Sequence, residues 1–138
     1  MTPTLRIFFD TNVLVSALMT RGLCADLYRL VVAEHELVAG EFNLAELRRV
    51  LRERFRAPPA AVKDAESALR QNTIVPVPKH TLAIKVRDPD DAWVLASAVA
   101  GGANVLVTGD KDLLSIAKHA PLKILNPRQL WELLKSPA

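Results

Sequence analysis

The sequence predicts an α/β fold in which helices cover both faces of a parallel β-sheet, giving three α/β/α layers. The first observation is that short apolar, strand-like runs alternate with segments of helical periodicity along the chain. The second is composition, since 50% of the 138 residues are hydrophobic and 24% are charged, as in ordinary globular proteins. A chain of this length accommodates one hydrophobic core, so we expect a single domain over residues 1–138.

The predicted strands are short apolar or β-branched runs bounded by polar or turn residues. Residues 5–9, Leu-Arg-Ile-Phe-Phe, are typical of a buried strand and end at Asp10. Pro76 interrupts the run 73–77, and proline cannot donate to a sheet, so we place this segment at an edge or count it as loop. In chain order the predicted strands are 5–9, 36–39, 73–77, 105–107 and 123–125.

The predicted helices are recognised by apolar residues that recur every three or four positions. The third helix has the clearest stripe, which consists of Leu44, Leu47, Leu51 and Phe55. Pro58-Pro59 ends this helix and starts the next one, and Gly101-Gly102 closes the helix that begins at Asp88-Pro89. In chain order the predicted helices are 12–19, 22–33, 43–55, 60–70, 88–100, 111–118 and 127–134.

The sequence lacks the features of membrane, secreted and zinc-binding proteins. No apolar run approaches the roughly 20 residues that a membrane-spanning helix needs, and residues 1–10 do not resemble a signal peptide. The single cysteine, Cys24, cannot form an internal disulfide, and the three histidines lack the spacing of zinc ligands. We therefore expect a cytoplasmic protein without membrane association.

Acidic residues closely follow two of the predicted strands. Asp10 comes at the end of the first strand, and Asp110 follows strand 105–107 after only Thr108-Gly109. Asp112 is two residues further along the chain. Ligands of an open parallel sheet bind at the carboxyl ends of its strands. These acids therefore lie at the edge where a ligand is expected.

More acids lie at the starts of two helices that begin at this same edge, because a right-handed crossover returns each helix antiparallel to the strands. Glu46 is in the first turn of the third predicted helix. The fifth predicted helix opens with Asp88, Asp90 and Asp91. Helix capping is the simpler explanation for each acid alone, and Asn43 with Glu46 has the spacing of a capping box.

Acids that gather from four separate segments predict a metal site. Asp10 and Asp110 could each serve only as a helix cap, but that explanation must then hold at four places on one edge. Carboxylates packed together raise one another's pKa unless a cation shares them. Mg²⁺ or Mn²⁺, with its preference for carboxylate and water oxygens, is the expected ion.

Four sequence motifs resemble those of PIN-domain nucleases, in the same order and separation. They are FDTNVLVSA at 9–17, LAEL at 44–47, DAWVLASA at 91–98 and VTGDKDLL at 107–114. The resemblance spans residues 6–134, and the subgroup it favours is the VapC-like toxins of toxin–antitoxin pairs. It implies a five-stranded parallel sheet, Mg²⁺- or Mn²⁺-dependent cleavage of RNA, a cognate antitoxin protein and a homodimer.

The resemblance also implies a role for each acid. The catalytic core consists of Asp10, Glu46, Asp91 and Asp110. The metal ligands are Asp10, Asp91, Asp110 and Asp112. The supporting residues are Thr11, Asn12, Thr108 and Asp88. In this scheme Asp10 and Asp110 bind metal directly, Asp91 binds a second ion or holds a water, and Glu46 orients or deprotonates the attacking water. The third motif can also be registered on Asp88 instead of Asp91.

Charge outside the predicted pocket favours a polyanionic partner. If six of the 15 acids gather in the pocket, nine remain against 18 Lys and Arg, so the rest of the surface is basic. The candidates for contact with the RNA backbone are Arg48, Arg52 and Lys111. A solvated, arginine-rich helix face is the simpler explanation of the same residues. The sequence shows no aromatic platform for unstacked bases.

Two other functions are compatible with parts of the pattern. A haloacid-dehalogenase-like phosphatase also has an aspartate after its first strand, but it needs a second acid two residues later, where this chain has Asn12. A catalytically inactive PIN-like scaffold or RNA-binding module is the non-enzymatic alternative. The presence of all four acids favours the nuclease.

Overall fold

The structure, a computed structural model, describes residues 3–135. The strands in this range are β1 (Arg6–Phe9), β2 (Glu36–Gly40), β3 (Thr73–Val75), β4 (Val105–Val107) and β5 (Lys123–Leu125). They form one sheet in the order β3-β2-β1-β4-β5, and every neighbouring pair is parallel. The predicted five-stranded parallel sheet is confirmed.

Helices cover both faces of this sheet. Those in the described residues are α1 (Thr11–Met19), α2 (Leu23–Glu34), α3 (Glu41–Glu53), α4 (Pro59–Leu69), α5 (Pro89–Ala100), α6 (Lys111–Ser115) and α7 (Pro127–Lys135). Within residues 3–135 no helix is long and apolar enough to cross a membrane.

The central strand β1 shows how the layers are built, since successive side chains of a strand point to opposite faces. Ile7 and Phe9 pack in one core cluster with residues of α1, α2, α3, α4 and α7. Phe8 packs in a second cluster with residues of α5 and α6. All three side chains are fully buried. The sheet therefore lies between two apolar layers, as the three-layer prediction requires.

The strand order places a crevice at the centre of the sheet. The chain adds β2 and β3 on one side of β1 and then crosses over to add β4 and β5 on the other side. Open α/β sheets bind ligands where the order reverses in this way, at the carboxyl ends of the two diverging strands. The Asp10 N–H donates to the Val107 carbonyl at 3.0 Å, which joins the ends of β1 and β4. Asp10 and Thr108 consequently leave the sheet side by side.

Helix α3 differs from its prediction at both ends. It begins at Glu41 and ends at Glu53, whereas the apolar stripe predicted residues 43–55. Its N-cap is Gly40, so Asn43 and Glu46 do not form the capping box that their spacing allows. Asn43 is instead fully buried and faces α1.

Two smaller differences have local causes. The strand-like run 73–77 is an edge strand that ends at Val75, before Pro76, as expected for a residue that cannot donate to the ladder. The predicted helix 111–118 is α6 followed by a 3-10 turn, Ala117–His119.

Candidate metal centre

A pocket of about 440 Å³ opens at the carboxyl ends of β1 and β4. Its walls come from one side of α1 along its length, from the N-terminal end of α5, from the loop before α6 and from one side of α3. The four predicted catalytic acids all line it, namely Asp10, Glu46, Asp91 and Asp110. Thr11, Asn12 and Asp88, predicted as supporting residues, line it as well. The structure thus brings the acids of four separate segments to one cavity.

Asp10 is fixed at the base of this pocket by hydrogen bonds to both of its oxygens. As the N-cap of α1, its Oδ1 accepts from the Thr11 N–H at 2.7 Å. The Thr108 hydroxyl donates to its Oδ2 at 2.6 Å. Burial raises the pKa of Asp10, and the hydrogen bonds from Thr108 and Thr11 oppose this rise. Asp10 is therefore both the N-cap of α1 and a residue of the pocket.

Asn43 lies at the site, although its sequence position was considered only as part of a capping box. Its Nδ2 donates to the Thr11 hydroxyl oxygen at 2.9 Å and lies 3.4 Å from Oδ1 of Asp10. Its own Oδ1 is buried without a hydrogen-bond partner among the described residues. The signal was present in the spacing, because Asn43 lies four residues before Leu47 and eight before Leu51 and so extends the buried stripe of α3.

Three carboxylates form a tight cluster beside Asp10. One oxygen from each of Asp91, Asp110 and Asp112 lies within 4.8 Å of the other two. Asp110 also caps α6, with its Oδ1 accepting from the Asp112 N–H at 2.7 Å. Asp91 is only 6% exposed, and its Oδ2 is buried without a hydrogen-bond partner in residues 3–135. A buried carboxylate oxygen in this condition is costly unless a cation or proton satisfies it.

The electrostatics of Asp91 point to the same requirement. Burial is the largest cause that raises its pKa to about 7, and repulsion from Asp110, Asp88 and Asp10 adds to it. A divalent cation removes both penalties, and all three clustered donors are hard oxygens of the kind that Mg²⁺ and Mn²⁺ prefer. The residues present therefore fit such an ion.

The pocket has further acids outside this cluster, including Asp88, Asp10 and Glu46. Asp88 is exposed and caps α5 by accepting from the Asp90 N–H at 2.9 Å, so Asp91 and not Asp88 belongs to the cluster. Asp10 lines the same pocket outside the three-carboxylate cluster. Burial raises the pKa of the half-buried Glu46, a hydrogen bond with Thr11 lowers it, and the charges of Asp10 and Asp90 raise it further. Glu46 thus borders the cluster without joining it.

The basic residues lie differently from their prediction. Arg48 and Arg52 line a second groove, between α3 and α4, where Arg48 forms a salt bridge with Glu66 at 2.8 Å. Lys111 is exposed at the start of α6, next to Asp110. The arginines that line the acidic pocket are Arg49 and Arg54. These two were missed because the predicted apolar stripe did not show which flank of α3 faces the pocket.

An aromatic residue also lines this pocket, which corrects the expectation that no platform exists. Phe55 was assigned to the buried stripe of α3, but the helix ends two residues earlier and the Phe55 side chain is 37% exposed at the pocket. Its exposure follows from where the helix stops, which the stripe alone could not show.

Comparison with solved structures shows the same fold in three bacterial proteins. VapBC-1 from nontypeable Haemophilus influenzae is 16% identical, with a TM-score of 0.64, and the match covers 90% of this chain and 99% of that one. FitAcB from Neisseria gonorrhoeae is 18% identical, with a TM-score of 0.63 and coverage of 88% and 98%. VapC20 from Mycobacterium tuberculosis, a toxin that cleaves the sarcin-ricin loop, is 17% identical, with a TM-score of 0.55 and coverage of 79% and 93%. At these identities the likeness shows the fold alone.

Sequence comparison identifies the family. No curated protein matches the chain. Residues 6–112, which are most of the chain and contain every acid of the pocket, match the family described as the PIN domain. The match agrees with the four motifs and with the parallel sheet that carries them. The chain belongs to the PIN-domain family.

Proposed function

We propose that this protein is an endoribonuclease that uses Mg²⁺ or Mn²⁺ to hydrolyse RNA phosphodiester bonds. The observation that carries the proposal is the Asp91 carboxylate, which is buried, lacks a partner for Oδ2 and lies against two further carboxylates in the central crevice. A scaffold would gain nothing from this arrangement, since like charges in a low-dielectric site destabilise the fold. A metal-dependent hydrolase requires it.

Each residue of the pocket has a distinct task in this proposal. Asp91, Asp110 and Asp112 would hold the cation, with Asp10 as a further ligand candidate. When bound, the cation supplies positive charge to the scissile phosphate and makes a water molecule more acidic.

Glu46 is the proposed general base. Burial raises the pKa of Glu46, which makes its carboxylate a stronger base than that of an exposed glutamate. We assign Thr11, whose hydroxyl oxygen accepts from Asn43 Nδ2, the role of orienting Glu46. Asp10, fixed by Thr108, keeps the base of the pocket rigid.

The purified protein is expected to cleave single-stranded RNA with Mn²⁺ or Mg²⁺ and to stop in EDTA. A small phosphomonoester serves as the matched alternative substrate and should remain intact. The control is the Asp10→Asn, Asp110→Asn double variant, which should be inactive. Undiminished cleavage by that variant would contradict the proposal, as would hydrolysis of the phosphomonoester alone.

We further propose that the enzyme is the toxin of a toxin–antitoxin pair, acting as a cytoplasmic homodimer. The support is the resemblance of its motifs to those of VapC-like toxins and the fold that it shares with a toxin that cleaves the sarcin-ricin loop. An antitoxin protein could cover the pocket and place a basic side chain among its carboxylates. Such a side chain would satisfy Asp91 as a cation does.

Expression of this chain alone is expected to slow bacterial growth, because free ribonuclease would degrade cellular RNA. The Asp10→Ala variant should restore growth at the same level of soluble protein. Growth curves with quantified protein levels measure this. Normal growth in the presence of soluble, cleavage-competent wild-type protein would rule out the toxin role.

A further inference from the structure

The acidic pocket continues beyond the carboxylates along one side of α3. After Glu46, its wall contains Arg49 and Val50 and then reaches Arg54, the C-cap of the helix. These positions follow the three- and four-residue spacing of one helix face. At about 1.5 Å per residue, Arg54 lies about 12 Å along the helix axis from Glu46. One cavity therefore has an acidic end and a basic end.

The basic end also presents an aromatic ring. Arg56 adopts a left-handed conformation, with φ of 51°, and the Ala57 N–H donates back to the Leu51 carbonyl at 2.9 Å. This turn stops α3 and leaves Phe55 at the pocket instead of in the core. The Arg54 guanidinium lies 5.8 Å from the centre of the Phe55 ring.

Arg54 lies over the Phe55 ring and the charge of Arg49 lowers the pKa of Glu46, which burial raises, but neither arginine is held in an ion pair in the described part of the chain. Within residues 3–135, neither Arg49 nor Arg54 forms a salt bridge, whereas Arg48 on the opposite flank of α3 is paired with Glu66. Both Arg49 and Arg54 are exposed. A guanidinium without an ion-pair partner, beside an exposed aromatic ring, favours a ligand that has both anionic groups and planar rings.

We propose that Arg49, Arg54 and Phe55 form a binding arm for single-stranded RNA, in which the guanidinium groups contact phosphates and an unstacked base lies on the face of the Phe55 ring opposite Arg54. The inference rests on the proposed ribonuclease function and assigns the substrate class to one end of its pocket. The acids repel a polyanion, so affinity for the strand must come from elsewhere on the same cavity. Stacking on an aromatic ring adds affinity that any base can supply.

The test measures RNA affinity in the Asp10→Asn, Asp110→Asn background, so that binding is followed without cleavage. The probes are an unstructured, fluorescently labelled RNA and an abasic strand of the same length, each titrated over a range of salt concentrations. The variants are Phe55→Leu and Arg49→Gln, and the matched control is Arg52→Gln on the other flank of α3. Thermal unfolding confirms that each variant is folded.

Phe55→Leu should weaken RNA binding about fivefold or more and leave binding of the abasic strand unchanged. Arg49→Gln should weaken binding of both strands and reduce the slope of log affinity against log salt by about 0.7. Arg52→Gln should change neither. Equal RNA affinity with and without the Phe55 ring would overturn the proposal and leave this end of the pocket to a protein partner. Equal losses for Arg49→Gln and Arg52→Gln would also overturn it, since binding would then follow overall charge.

These binding results can be distinguished from a failure of the proposed function, because that function is tested by RNA cleavage with the wild-type chain. Cleavage without the expected Phe55 effect would remove only the binding arm. The Phe55 and Arg49 effects without wild-type cleavage would support an RNA-binding arm and contradict the ribonuclease.

Discussion

An Asp91→Asn variant is expected to cleave RNA at least about 100-fold more slowly than the wild-type chain. Asparagine keeps the size of the side chain but removes the charge, and a bound cation contributes several kcal/mol to the transition state. The loss should appear in kcat as well as in the metal concentration required for activity. Initial rates over a Mn²⁺ series measure both quantities.

Asp64→Asn is the matched control for this variant. Asp64 is an exposed aspartate of α4 that does not line the acidic pocket, so removal of its charge should leave cleavage unchanged. A similar loss in both variants would assign the effect to net charge. Wild-type rates for Asp91→Asn would remove this residue from the catalytic cluster.

An Asp110→Asn variant is expected to be more stable than the wild type when metal is removed. Burial is the largest cause that raises the pKa of Asp91 to about 7, and repulsion from Asp110 is the next. Asparagine caps a helix nearly as well as aspartate, so the cap of α6 should survive the substitution. Relief of about 1 kcal/mol would raise Tm by about 4 °C in a chain of this size. Activity should fall at the same time, the usual exchange of stability against function at an active site.

The pH dependence of this gain follows from the direction of the shift. The folded protein holds the Asp91 proton up to about pH 7, whereas the unfolded chain releases it near 3.8. The contribution of Asp91 to the stability of the metal-free wild type therefore falls as pH rises from about 4 through 7. The Asp110→Asn advantage should be small near pH 4 and largest above pH 7. Thermal melts in EDTA across this range measure it, and a gain that is constant with pH would contradict the repulsion argument.

The fold was largely predictable because apolar periodicity and strand order follow from local sequence and general topology. Residues 5–9 read as a buried strand, and β1 is buried on both faces. The ends of α3 were not predictable in this way. Phe55 fits the spacing of the stripe as well as Leu51 does. The left-handed turn that keeps Phe55 out of the helix is at Arg56, and glycine, the residue that usually marks such a turn in a sequence, is absent there.

The acids of the pocket were predictable, and their neighbours less so. Asp10, Asp91 and Asp110 each follow a strand or open a helix at one edge, so topology alone places them together. Asn43 has the spacing of a cap as well as that of a buried residue, and only the packing of α3 against α1 decides between them. Which arginines face the pocket depends on the rotation of α3, which a single apolar stripe fixes only coarsely.

Metal-dependent stability of the wild type and of Asp110→Asn tests the central claim, that this acidic cluster is a cation site. Thermal unfolding is measured at pH 7.5 or above in EDTA and in a hundredfold excess of Mn²⁺ over its dissociation constant. The wild type should gain about 2.7 kcal/mol from the metal, and Asp110→Asn should gain much less. Equal gains in the two proteins would contradict the claim.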